Sequence, residues 1–181
     1  MRNFENDLIE TCIEAAESLR GKHKEWNMGK SDEEKIYSGE REFVAEVYRL
    51  FINKDKSYWN SLFIDYSRPE KKYNNESAVP DIVYRGADGG KAVVEVKVMV
   101  QNRKRKSGGL TPLQKDLNLI QSDYNKFKDP EHYREFNKKY LVAAFLGDTI
   151  FDNGIKFSRE GFKTAVQKHF LDTEKIKVIP C

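Results

Sequence analysis

Asp81, Glu95 and Lys97 are the residues of this 181-residue chain whose types and spacing could do chemistry together. They lie in residues 80–100, PDIVYRGADGGKAVVEVKVMV, which read as two strands joined by a glycine-rich turn. If the turn Gly86–Gly90 is symmetric about Asp88, Asp81 lies opposite Glu95. Opposed Cβ atoms in an antiparallel pair are roughly 4.5–5.5 Å apart, so two carboxylates there repel unless a cation sits between them. A divalent metal is the candidate. Side-chain alternation puts Glu95 and Lys97 on the face of Asp81, and Val94, Val96, Val98 and Val100 on the other. The valine row is the anchor and the polar face is the site. A lysine two residues from a metal-binding glutamate can stay charged, orienting water or stabilising an anionic transition state, or can lose its proton and act as a base. The sequence leaves both open.

At these residues the chain resembles the PD-(D/E)xK nuclease superfamily. The signature of Pro-Asp, a short gap and Glu-x-Lys is matched by Pro80-Asp81 and Glu95-Val96-Lys97, and the resemblance covers residues 36–146. It implies a restriction-endonuclease-like αβββαβ core and metal-dependent hydrolysis of nucleic-acid phosphodiesters. It also implies that Asp81, Glu95, the Val96 carbonyl and a glutamate from the preceding helix hold one or two Mg²⁺ ions, with Mn²⁺ able to substitute. Lys97 would then position or activate the attacking water.

Residues 36–53, IYSGEREFVAEVYRLFIN, carry a helical stripe of Ile36, Phe43, Val47, Leu50 and Phe51. At 100° per residue Glu40 falls inside that stripe, Glu42 nearly opposite and Glu46 on its flank. An acid on a buried side needs a reason, and Glu40 in the Gly39-Glu40-Arg41 triplet matches the superfamily's helix carboxylate, with Glu46 as the second candidate. The plainer alternative is that Glu40 is a first-turn acid favoured by the helix dipole.

After the second strand, residues 101–112 hold Arg103, Lys104, Arg105 and Lys106 without one acid. Such a run beside the motif suits phosphate-backbone contact, against the general expectation of a solvated loop. Thr111 and Pro112 start a helix whose stripe is Leu113, Leu117, Ile120, Tyr124 and Phe127. Gln114, Lys115 and Gln121 are candidate site or backbone contacts on it, Lys115 among the nucleic-acid contacts, while Asp116 and Asp123 read as surface or capping residues. The Gln-x-x-x-Tyr arrangement of some superfamily branches is not matched, because Gln121 and Tyr124 stand one residue too close.

The remaining elements form the frame. A packing helix is expected over residues 4–20, a linker containing an exposed His23 over 21–35, a strand over 61–66 ending in Asp65, and a polar loop over 67–77. A strand buried on both faces follows near 139–146, then a turn region at 148–154, a helix capped by Ser158 and a short edge strand at 175–179. His132 and His169 lack ligand-spaced partners. This is a single α/β domain with a mixed sheet flanked by helices: residues 1–35 as N-terminal helix and linker, 36–146 as core, 147–181 as C-terminal helix and strand.

A net charge of +3 does not by itself imply nucleic-acid binding, and 39% hydrophobic content supplies a core. Cys12 and Cys181 are too few and too far apart in sequence to suggest zinc or a disulfide framework. No apolar run nears the ~20 residues of a membrane span, and the acidic N-terminus is unlike a leader, so a cytoplasmic protein is expected. The functional expectation is a DNA endonuclease of restriction, nicking or repair type, with RNA not excluded, acting as a homodimer or with a partner subunit. Its alternatives are a non-catalytic nucleic-acid-binding module and an interaction domain in which Asp81, Glu95 and Lys97 are surface ion pairs.

Overall fold

A computed structural model describes residues 3–31, 39–64, 80–87, 89–99, 112–129, 133–147, 150–152 and 155–181. For residues 112, 115, 116, 150–152 and 155–157 it describes the backbone alone. Helix α1, Phe4–Trp26, begins where the Asn3 side chain accepts the Glu5 N–H at 3.0 Å. Its buried row is Leu8, Cys12, Ala15, Ala16, Leu19 and His23. The helix therefore runs through the first part of the expected linker, and His23 is buried, not exposed. The cause is spacing: His23 stands one turn after Leu19 and continues the stripe, while Gly21 leaves open space that costs the packing nothing. Residues 32–38 lie outside the described residues.

Helix α2, Glu40–Lys54, is closed at its start by the Glu42 carboxylate, which accepts the Gly39 N–H at 2.9 Å. A 3-10 turn, Lys56–Asn60, leads into strand β1, Leu62–Ile64. Strands β2, Ile82–Arg85, and β3, Lys91–Met99, form the expected hairpin, with Gly89 at φ +83° in its turn, a conformation side chains resist. Helix α3, Pro112–Lys128, then crosses to β4, Lys138–Phe145. Where a turn is expected, β5, Ile150–Asp152, and β6, Ile155–Phe157, pair as a small antiparallel hairpin. Strands of three residues are too short for a period of two to show. Helix α4, Arg159–His169, is capped by Ser158, which accepts the Gly161 N–H, and β7, Ile176–Pro180, follows.

Five strands form one mixed sheet in the order β1-β2-β3-β4-β7, antiparallel from β1 to β3 and parallel from β3 to β7. Parallel neighbours need crossovers, and α3 and α4 supply them on one face. The core between that face and these helices contains Val83, Val93, Leu141, Phe145, Ile120 and Phe162. On the other face α1 and α2 pack over Ile82, Val94, Val96 and Val142. Strand β4 lies between both layers, which explains its unbroken apolar run. Phe4 stacks on Tyr84 at 4.0 Å, and Glu5 takes hydrogen bonds from Tyr140 and Lys177, fixing the start of α1 to the sheet. Among the described residues no helix is long and apolar enough to cross a membrane.

Candidate functional site

The hairpin register sets the first contacts. It pairs Ile82 with Val94, Val83 with Val93, Tyr84 with Ala92 and Arg85 with Lys91, as a turn symmetric about position 88 requires. Carried two residues further, it sets Asp81 opposite Glu95 and Pro80 opposite Val96. The Lys91 and Met99 carbonyls accept from Asn137 and Leu146 on the β4 side, and the Gly90 carbonyl accepts from Gly86 on the β2 side. Odd-numbered peptide groups of β3 thus face β4 and even-numbered ones face β2. Val96 is presented to β2 at the level where that strand has given way to Pro80. Its N–H donates to Asp81 Oδ2 at 2.6 Å. Its carbonyl finds no donor in the ladder, because proline has no N–H. Asp81 and Glu95 form a non-hydrogen-bonded pair, the kind in which side chains approach more closely.

Alternation puts Asp81, Glu95 and Lys97 on the face of Val83 and Val93, the side covered by α3. Glu95 is buried, and its Oε1 accepts the hydroxyl of Tyr133. Tyr133 is held edge-on between Phe127 and Phe136, with φ +53°, a left-handed conformation that costs a residue with a Cβ roughly 1–3 kcal/mol. Lys97 lies beyond the start of β2 and reaches two acids. Its Nζ is 3.3 Å from both Glu40 oxygens and 3.2 Å from Asp123 Oδ2. Asp123 Oδ1 in turn lies 2.7 Å from Lys126. The Lys97–Asp123 contact is an ion pair, and Oδ2 is buried with no other polar partner among the described residues.

These surroundings decide charge. Burial pushes Asp81 up to about 6, with the Val96 N–H opposing the rise and Glu40 adding to it. Burial likewise pushes Glu95 up to about 8, against the Tyr133 hydrogen bond and with Asp81 adding to the rise. Lys97 behaves oppositely. Burial works against its charge, but Asp123 and Glu40 outweigh it and hold the amine above the ordinary lysine value. Of the two roles open for Lys97, this arrangement fits the charged one: at neutral pH the side chain is an ammonium, a donor and not a base.

Asp123, Lys126 and Tyr133 are the residues that sequence reasoning missed. Asp123 is buried, not a surface or capping residue. It sits at helical spacing between Ile120 and Phe127, inside the apolar stripe, and that was its signal. Tyr133 and Lys126 had none. Glu40 is half-exposed and rests on Lys97, whereas Glu46 is the buried acid of α2. Glu46 faces α1 and not the site, accepting two hydrogen bonds from Arg49 at 2.9 Å and one from Ser18 at 2.7 Å, with Lys22 at 3.6 Å. Gln121 bonds Asn125 along its own helix, Gln114 is exposed, and His169 is exposed against Phe170. Asp65, Arg103, Lys104, Arg105, Lys106, Thr111, His132 and the Lys115 side chain lie outside the described residues. Cys12 and Cys181 are free and buried, and burial pushes both thiols up.

Among the described residues no three His, Cys, Asp or Glu side chains converge at metal-binding spacing. The donors that do come together are two carboxylates and one peptide carbonyl that Pro80 cannot pair. Mg²⁺ is commonly held by one or two carboxylates, keeps several waters and takes the rest from substrate phosphate. The donor set of Asp81, Glu95 and the Val96 carbonyl fits that ion, and the raised carboxyl pKa values mark a pair whose ionised form a dication would favour. Comparison with known proteins returns no match, either to a protein-family model or to a curated protein.

Proposed function

We propose that this chain is a metal-dependent nuclease of the PD-(D/E)xK kind that hydrolyses phosphodiester bonds in DNA. The observation that carries the reading is the hairpin register: Pro80 and Asp81 fall against Val96 and Glu95, so that two carboxylates and a carbonyl that Pro80 has no N–H to pair meet beside a charged lysine. The element order α2-β1-β2-β3-α3-β4 agrees with a restriction-endonuclease-like αβββαβ core.

Phosphodiester hydrolysis asks an enzyme for more than roughly 20 kcal/mol of barrier lowering. Asp81, Glu95 and the Val96 carbonyl would hold the metal. When bound, a divalent cation supplies positive charge to the phosphoryl oxygens and makes water a stronger nucleophile. Lys97, kept as an ammonium by Asp123 and Glu40, donates to the attacking water or to the developing negative charge. The Tyr133 hydroxyl fixes the orientation of Glu95. Arg103, Lys104, Arg105 and Lys106, with Lys115, would hold the sugar-phosphate backbone next to this centre.

The test is cleavage of supercoiled plasmid, single-stranded DNA and RNA in EDTA, Mg²⁺ and Mn²⁺, by wild type, Asp81→Ala and Lys97→Ala. Metal-dependent nicking or linearisation, lost in both variants, is expected. Cleavage that survives Asp81→Ala in a nuclease-free preparation, or no cleavage of any substrate, refutes the proposal.

A further inference from the structure

We infer that Asp123 positions Lys97, and that Glu40, although it touches the same ammonium, is the exchangeable partner; the catalytic half of this inference rests on the nuclease reading above. Lys97 has two acidic neighbours, on helices that pack against opposite faces of the sheet. The Glu40 side chain is 41% exposed and the Asp123 side chain 3%. An ion pair whose acid is exposed at the protein surface is attenuated by solvent, and one whose acid is shielded from water is attenuated less at the same distance. The distances are nearly equal, 3.3 and 3.2 Å, so burial decides which acid holds the lysine.

Asp123 is also braced. Its Oδ1 is taken by Lys126 at 2.7 Å, one turn along the same helix, which leaves Oδ2 turned toward Lys97. That Oδ2 is buried and makes no hydrogen bond among the described residues, so Lys97 is the charge that answers it. Glu40 lies in the first turn of α2 and can be drawn to a cation or give way to a phosphate without releasing Lys97. If Asp123 loses its charge, Glu40 alone remains, in contact with water, and the ammonium gains conformations that point away from the cleft. Asp123 touches neither substrate nor metal in this scheme. It acts through Lys97.

The experiment reads the lysine directly. In protein labelled with ¹⁵N-lysine and free of metal, a partly buried ammonium paired with two acids exchanges its protons slowly enough to be seen, and Lys97→Arg identifies its resonance. The expected result is a Lys97 ammonium signal in wild type that persists in Glu40→Gln and Asp123→Glu and is lost in Asp123→Asn. In cleavage assays Asp123→Asn should lower kcat about 100-fold with KM within about threefold, as for a group acting only in the transition state, and Asp123→Glu should restore part of that loss. A signal lost in Glu40→Gln overturns the assignment, and does so even if Asp123→Asn fails to fold. A signal lost in Asp123→Asn with kcat unchanged overturns the catalytic half. Should wild type cleave nothing, the nuclease reading fails, and the ammonium signal still decides whether Asp123 is the tether.

Discussion

If Asp81 and Glu95 hold Mg²⁺ as proposed, binding must drive off the protons that burial favours on them. With Glu95 at about 8 and Asp81 at about 6, the first proton must leave anywhere between pH 6 and 8 and the second below pH 6. The Mg²⁺ dissociation constant is then flat above pH 8. It rises about tenfold per unit from pH 8 to 6, about 100-fold in all or roughly 2.7 kcal/mol, and approaches about 100-fold per unit below pH 6. Two carboxyls at their ordinary values near ~4 would give no slope in this range. Isothermal titration calorimetry at pH 7 in two buffers of different ionisation enthalpy measures the proton count directly, and about one per Mg²⁺ is expected. The sign for the metal-free fold follows from the same shifts. Between the unfolded carboxyl values and about pH 8 the native state binds more protons than the unfolded state, so metal-free stability falls as pH rises through that window, and Glu95→Gln flattens the fall. Affinity independent of pH from 6 to 8, with heats that do not depend on buffer, would refute the placement of these two acids at one metal.

Other variants separate the site from its supports. Tyr133→Phe removes the donor that favours ionised Glu95, so the midpoint of Mg²⁺ binding should move to higher pH, with a stability loss of about 1 kcal/mol in urea unfolding. Lys97→Met leaves Asp123 with Lys126 alone and should cost about 1–3 kcal/mol, measured by the same unfolding and independent of any metal. Glu46→Gln should cost about 1–3 kcal/mol and leave cleavage intact, because Glu46 serves the contact between α1 and α2. Arg49 and Ser18 hold its carboxyl, against burial, down to about 2, so that contribution is complete above pH ~4.5 and disappears as pH falls toward 2 in wild type but not in the variant.

The framework was legible because its signals are local. Glycine spacing fixes the centre of the hairpin turn, alternation assigns the faces of β3, and the run at residues 140–146 declares a strand covered twice. The site was legible to the extent that it is built from that hairpin. Asp81 and Glu95 meet through a register that counting recovers. Lys97 could not be assigned a charge by counting, since its neighbours come from Glu40, 57 residues earlier, and from Asp123 on the crossover helix α3. Asp123 departs from expectation for a different reason: acids on helices are usually solvated, whereas this one occupies the apolar stripe. Tyr133 contributes through a backbone conformation that no spacing announces.

Pro80 matters for what it withholds. A residue with an N–H at that position would offer the Val96 carbonyl a partner, and the ladder between β2 and β3 would gain a rung. The hairpin would become longer and firmer, and the oxygen proposed as the cleft's third metal donor would be spent on holding the sheet together. In this protein no N–H of residue 80 closes that rung, and the proposed metal site would draw on the peptide oxygen left at that seam. Sequences selected for stability alone would be expected to close it.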